Sequence, residues 1–308
     1  MDLCYIIFKT TFKEFFLILA TSLLLIYGIF FIFTANDFFL FPQFLFSYRS
    51  MAGFSIIVIS FEKRIKVLNT FLNFTLTNPP MSLHEIIISW GSDDETIIKD
   101  IVQNHKTLSI KNNILLRYSI SNDKTLSRKF RDATSIKTST VLAIDDDILM
   151  PPENVEYGFQ IWRKHPTQLV GYLARYITIQ KAGINGQWDN LTYDVPGSFD
   201  RIRLILTNVA FVSRKLALAF YEQKYSKSLK IVHEMNNCDD ILMNFVAMDV
   251  SNLSAVFVLR SYEHIGFDGL STTTRVSHFL NRTICVNKFY HNFGRYPPIV
   301  PKDCIYLK

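Results

Sequence analysis

The 308-residue chain contains no Gly-x-Ser-x-Gly, no glycine-rich phosphate loop and no catalytic pairing of cysteine with histidine. These absences argue against serine-hydrolase, P-loop and cysteine-nucleophile chemistry. Its seven histidines show no ligand spacing to one another or to cysteine, which argues against a zinc site. The net charge is +6, but the basic residues are scattered, so no nucleic-acid groove is indicated. The local run Lys124, Arg128, Lys129, Arg131, Lys137 suits a smaller anion. Internal repeats and low-complexity segments are also lacking.

What the chain has is apolar substance, 49% of its residues, enough for one large core or two modest ones. Residues 15–35, FFLILATSLLLIYGIFFIFTA, carry no charge and as a helix span about 30 Å of hydrocarbon. We read them as a transmembrane signal anchor. A cleaved signal peptide is the competing reading, but its apolar stretch is shorter and ends in small residues, whereas this one ends in Phe31-Ile32-Phe33. Lys9 and Lys13 place residues 1–14 in the cytosol by the positive-inside rule, so the expected protein is single-pass, type II, with everything after Asn36 lumenal. Sequons at Asn73, Asn190, Asn252 and Asn281 agree with that topology as candidate glycosylation sites. Cys4 falls on the cytosolic side. Among Cys238, Cys285 and Cys304, one disulfide is the natural allocation, with one thiol left over.

Residues 36–52 read as a short stem, and folding is expected over 53–308. FSIIVISF is a buried-strand run, and KRIKVLNTFLNFTL spaces Ile65, Leu68, Phe71 and Leu72 at helical intervals. LHEIIISW repeats the strand signature ahead of SDDETIIKDIVQNH, where Ser92 with Glu95 predicts a capping box. ILLRYSI and STVLAI are a third and fourth strand on either side of a basic, helical KTLSRKFRDATSI. QLVGYLARYITI, RLILTNVAFVS and SAVFVLR read as further strands, with helical RKLALAFYEQ and DDILMNFVAM between them. The expected class is α/β with a mixed, mostly parallel sheet whose ligands bind beyond the carboxyl ends of the strands.

The chemistry gathers at such an end. In TVLAIDDDILMPPEN, Asp145, Asp146 and Asp147 close an apolar strand. Adjacent ionised carboxylates repel, so the cluster is either a solvated turn or a site for a cation, and hard oxygen ligands suit Mg²⁺ or Mn²⁺. A second acidic pair, Asp239-Asp240, precedes an amphipathic stretch and fits a helix N-terminus, as a plain cap or as part of a site. Arg175, inside the apolar GYLARY, needs a carboxylate or phosphate partner.

Taken together, VLAIDDD, GYLARY, NCDDILMNF and HFLNRTICVNKFYHNFGRYP resemble the lumenal catalytic domain of exostosin-like glycosyltransferases, including plant members that act on sphingolipids. The likeness covers about residues 54–298. It implies a GT-A-type nucleotide-sugar-binding fold and Mn²⁺-dependent transfer of a sugar with retention of configuration. Carried over, Asp147 would ligate the metal, and Asp145 and Asp146 would lie near the ribose and diphosphate. Arg175 and Arg275 would face the donor's phosphates and sugar, and Asp239-Asp240 would lie at the sugar, with Asp240 beside the anomeric carbon. Cys238 and Cys285 would form the disulfide. Where the family shows Asn-Arg and Asn-Asn-Arg-Phe, this chain has Glu62-Lys63 and Ser127-Arg128-Lys129-Phe130, which puts Lys63 and Lys129 at donor-binding positions without arginine's planar fork.

The expected enzyme therefore takes a UDP-linked N-acetylhexosamine, UDP-GlcNAc or UDP-GalNAc, and a glycan or glycolipid acceptor in the Golgi or endoplasmic reticulum. Its state as homo- or hetero-oligomer is left open. The rival reading is a catalytically silent lumenal partner that binds sugar or a fellow transferase.

Overall fold

The computed structural model describes residues 53–120, 125–180, 190–194, 202–266, 278–295 and 305–307. The expected tail, anchor and stem (1–52), Arg275 and Cys304 lie outside the described residues. Among the described residues, no helix is long and apolar enough to cross a membrane.

The first half alternates strand and helix: β1 (Phe54–Ser60), α1 (Ile65–Thr77), β2 (Leu83–Trp90), α2 (Glu95–Lys111), β3 (Leu115–Ile120), α3 (Arg128–Asp132) and β4 (Thr140–Asp145). The four strands pair in parallel in the order β4-β1-β2-β3. Side chains alternate across the sheet, yet Ile56 and Val58 are as buried as Ile57 between them. The first two join Leu68, Phe71 and Ile98 of α1 and α2 in one core, whereas Ile57 and Ile87 join a second core on the opposite face. A strand covered on both sides has no polar phase to show, which is why these runs read as continuous apolar stretches.

The second half comprises β5 (Ile148–Leu149), α4 (Pro152–Lys164), β6 (Val170–Gly171), β7 (Ala174–Gln180), β8 (Asn190–Asp194), β9 (Ile202–Ile205) and β10 (Val209–Ser213). It continues through α5 (Arg214–Ala219), α6 (Ser226–Met235), α7 (Asp239–Ser251), β11 (Val256–Leu259), β12 (Glu263–His264), α8 (His278–Phe293) and β13 (Ile305–Leu307). The main sheet has eight strands in the order β13-β11-β6-β10-β4-β1-β2-β3, with β10 antiparallel to both neighbours. A three-stranded sheet β8-β7-β9 and a two-residue ladder β12-β5 flank it. The mixed, mostly parallel α/β architecture is the one expected.

Three local readings are corrected. QLVGYLARYITI and RLILTNVAFVS are not single strands; the first leaves the main sheet for the small one at Tyr172-Leu173, and the second passes back from the small sheet to the main one at 206–208. Gly171 marks the crossing, since a Cβ there would stand 2.3 Å from Ile205 Cγ2 and 2.9 Å from Ala210 Cβ. The N-cap of α2 is Asp94, whose carboxylate accepts from Thr96 N, because Ser92 instead donates its hydroxyl to Glu62 and accepts from Asp94 N. The basic segment before β4 is helical for only one turn, followed by a 3₁₀ turn at Ala133–Ser135.

Candidate active site

Strand β4 stops at Asp145, whose N–H donates to Asn208 O at 2.9 Å, and the chain turns through Asp146 and Asp147. Asp146 is 1% exposed. Its Oδ1 accepts from Arg64 Nε at 2.8 Å and Nη2 at 2.5 Å, and its Oδ2 accepts from Ser60 Oγ at 2.7 Å. The same Nη2 lies 2.9 Å from Asp147 Oδ2. Ser60 ends β1 and Arg64 closes the 3₁₀ turn Glu62–Arg64 that follows, so the first β-to-α corner supplies a planar fork to the aspartate corner. Burial alone would lower the Arg64 pKa; Asp146 and Asp147 outweigh it and push it up. Burial also raises Asp146 against the pull of Arg64. Asp145 is pushed up to about 7 by burial, with Lys129 opposing and Asp147, Asp146 and Asp239 reinforcing the rise.

Lys129 links this corner to the second acidic pair. From α3 its Nζ reaches Asp239 Oδ2 at 2.9 Å, both side chains being buried. Burial would lower the lysine's pKa, but Asp239, Asp145 and Asp240 together raise it. Asp239 and Asp240 occupy the first turn of α7, where the helix dipole favours negative charge. Asp240 Oδ2 accepts from Arg282 Nη2 at 2.5 Å, and the Arg282 guanidinium lies 4.5 Å over the Tyr193 ring. Burial pulls the Arg282 pKa down; Asp240 overrides it and the net shift is upward. Burial raises the Tyr193 hydroxyl to about 12.

The turn ahead of α7 is held covalently. Cys238 and Cys285 form a disulfide, the pair implied by the family likeness. Cys238 has φ 70° and Asn236 φ 43°, left-handed conformations that side chains larger than glycine's rarely adopt. The bond to α8 holds this backbone in place and fixes where Asp239 and Asp240 point.

The structure thus brings Asp145, Asp146, Asp147, Lys129, Asp239 and Asp240 to one place. Arg175, on β7, donates Nη1 to Ala174 O at 2.9 Å, and Tyr193 and Tyr262 feel its charge. Among the described residues it has no carboxylate partner. Lys63 is exposed, and it is the next residue, Arg64, that turns inward. Of the sequons, Asn73 and Asn252 are exposed and Asn281 is half-buried; the side chain of Asn190 lies outside the description.

Sequence reasoning passed over Arg64, Arg282 and His264. Arg64 had a signal, a lone arginine at a strand-to-helix corner. Arg282 had a better one: three residues before Cys285 on a helix, it shares the face that the disulfide presses against the Asp239-Asp240 turn. His264, at the end of a two-residue strand, had none; its Nε2 lies 3.9 Å from Asp147 Oδ1.

Among the described residues, no three His, Cys, Asp or Glu side chains converge as a complete metal cage. Cations that bridge substrate phosphates need only one or two carboxylates from the protein, the rest of the shell being water and phosphate. Asp147, at the turn and 14% exposed in its side chain, meets that requirement. Asp146 is committed to Arg64 and Ser60.

The glycosyl transferase family 64 domain matches residues 54–302. The chain belongs to that family. Glycosylinositol phosphorylceramide mannosyl transferase 1 of Arabidopsis thaliana is 31% identical over 186 residues, 59% of this chain and 54% of that protein. Glucosamine inositolphosphorylceramide transferase 1 of Oryza sativa subsp. indica is 29% identical over 250 residues, 79% of this chain and 31% of that protein. Exostosin-2 of Homo sapiens is 28% identical over 256 residues, 80% of this chain and 33% of that protein. The family 64 chain therefore spans about half the length of the first relative and a third of the other two. The exostosin-like resemblance read from the motifs holds.

Proposed function

We propose that the protein is a metal-dependent, retaining glycosyltransferase of GT-A type that moves an N-acetylhexosamine from UDP-GlcNAc or UDP-GalNAc to a glycan or glycolipid acceptor. It works from the lumenal face of the Golgi or endoplasmic reticulum membrane, anchored by residues 15–35. The observation that carries this reading is the meeting of two acidic clusters from opposite halves of the chain. One is clasped by Arg64, the other by Arg282, and Lys129 lies between them.

In this arrangement Asp147 would hold Mn²⁺ or Mg²⁺, whose charge would offset that of the departing diphosphate, with Asp145 near the donor's ribose. Lys129 and Arg175 supply fixed positive charge along the diphosphate, a preorganised field that needs no rearrangement during reaction. Asp240, kept in position by Arg282, faces the anomeric carbon and stabilises the positive character that develops there. A hexosamine donor and a glycolipid acceptor follow the name of the rice relative. A mannosyl donor, as named for the Arabidopsis relative, is the alternative that a donor panel must exclude.

Two aspartate variants test the division of roles. Asp147→Asn should weaken binding of Mn²⁺ and UDP together. Asp240→Asn should lower turnover by at least about 10²-fold while changing UDP affinity little. Calorimetry with UDP and Mn²⁺, paired with donor hydrolysis, reads both quantities. Loss of UDP binding by Asp240→Asn, or near-normal turnover, overturns the assignment. The lysines at 63 and 129 favour a second reading, a catalytically silent partner, and absence of hydrolysis across the donor panel would establish it.

A further inference from the structure

We propose that His264 is a second protein ligand, through Nε2, of the divalent cation held at Asp147. The inference rests on the metal-dependent reading above and adds a residue to it.

The backbone places the two side chains together. Strand β5 starts one residue after Asp147, and β12 pairs with it antiparallel, setting His264 opposite Ile148 and Glu263 opposite Leu149. The next residue, Ile265, donates its N–H to Asp147 O at 2.9 Å. A two-residue ladder buries little and stabilises little. Its effect here is to fix the register that brings an imidazole beside the metal carboxylate.

Asp147 divides its oxygens between two neighbours. Oδ2 is held by Arg64 Nη2 at 2.9 Å, which leaves Oδ1 facing His264 Nε2 at 3.9 Å. That separation is too long for a hydrogen bond. It lies between the two spacings of donors that share one cation with bonds of about 2.1 Å, about 3.0 Å at a right angle and about 4.2 Å when opposed, so a small turn of the imidazole reaches either. The histidine side chain is 56% exposed, so small adjustments of its angle are unhindered.

Charge gives a further reason. Three aspartates already crowd the corner, and Arg64 neutralises mainly Asp146. A neutral imidazole completes the coordination without adding negative charge beside a diphosphate. Nitrogen ligation also favours Mn²⁺ over Mg²⁺, which prefers oxygen alone.

The test uses the full chain loaded with UDP and Mn²⁺. Pulsed electron paramagnetic resonance should show modulation from a directly bound imidazole nitrogen, absent in His264→Ala and His264→Gln. Calorimetry in the presence of UDP should show Mn²⁺ affinity lowered at least about tenfold in both variants, with Mg²⁺ affinity changed by less than about threefold. Unchanged thermal midpoints without metal certify folding. Mn²⁺ bound with no nitrogen coupling overturns the role of His264 and leaves the metal reading standing. Failure of the unaltered chain to bind Mn²⁺ with UDP overturns both.

Discussion

Lys129 Nζ stands 2.9 Å from Asp239 Oδ2, and the same ammonium acts on Asp145 at the end of β4. A single buried cation thus spans the two acidic clusters. Breaking a buried pair by removing one partner leaves an uncompensated charge and costs about 3–5 kcal/mol. Lys129→Met should lower the unfolding free energy from denaturant titration by an amount in that range, and adding Asp239→Asn should recover part of the loss. A double-mutant cycle measures the coupling; additive effects would mean that the pair does not act as a unit.

Arg282 is expected to behave as the partner of Asp240 and unlike the residues of the aspartate corner. Arg282→Ala should reduce turnover by at least about 10²-fold while UDP affinity stays within about threefold. Arg282→Lys keeps the charge without the fork and should recover only part of the rate. Steady-state donor hydrolysis with parallel UDP titration separates these outcomes.

Asp145 ties stability to pH. Its carboxyl sits at about 7 in the folded protein, against about 3.9 in an unfolded chain. The folded state therefore holds a proton that the unfolded state has released between those values. Its stabilising contribution is complete below about pH 4 and is lost as pH rises through about 7. Asp145→Asn cannot titrate, so the metal-free variant should lose less stability across that window than the unaltered protein. Urea midpoints at several pH values provide the check.

The disulfide closes a loop with a sequence separation of 47, for which chain-entropy reasoning gives about 4 kcal/mol. Cys238→Ser with Cys285→Ala should destabilise by up to that amount. Cys238→Gly with Cys285→Ala should be the more stable of the two by about 1 kcal/mol, because glycine accepts φ 70° without strain. Chemical denaturation of both double variants beside the oxidised, unaltered protein compares them.

Much of the fold could be read directly. β1, β2 and β4 announce themselves because burial on both faces leaves unbroken apolar runs between helical segments. The points where β6 gives way to β7, and β9 to β10, were not legible. An apolar stretch looks the same whether it stays in one sheet or passes to another, and only the close approach at Gly171 distinguishes them. At the site, the three aspartates, Lys129 and the Asp239-Asp240 pair were legible as charge concentrated at element ends. Arg64 was displaced by one position, since the strand end and the 3₁₀ turn decide whether residue 63 or 64 faces inward. His264 was invisible because its closeness to Asp147 arises from a ladder too short to leave a pattern.

The Cys238–Cys285 bond also sets an order of events during biogenesis. Asp239 and Asp240 emerge before α8, yet both the tether beside them and the arginine that grips Asp240 belong to α8. At about 5–20 residues per second, synthesis of the intervening chain takes a few seconds. Throughout that interval a nascent chain can assemble the corner of Arg64 and the three aspartates while Asp239 and Asp240 have no clamp. Oxidation of the cysteine pair can therefore follow only after α8 is made, and until then the turn ahead of Asp239 and Asp240 has no covalent tether.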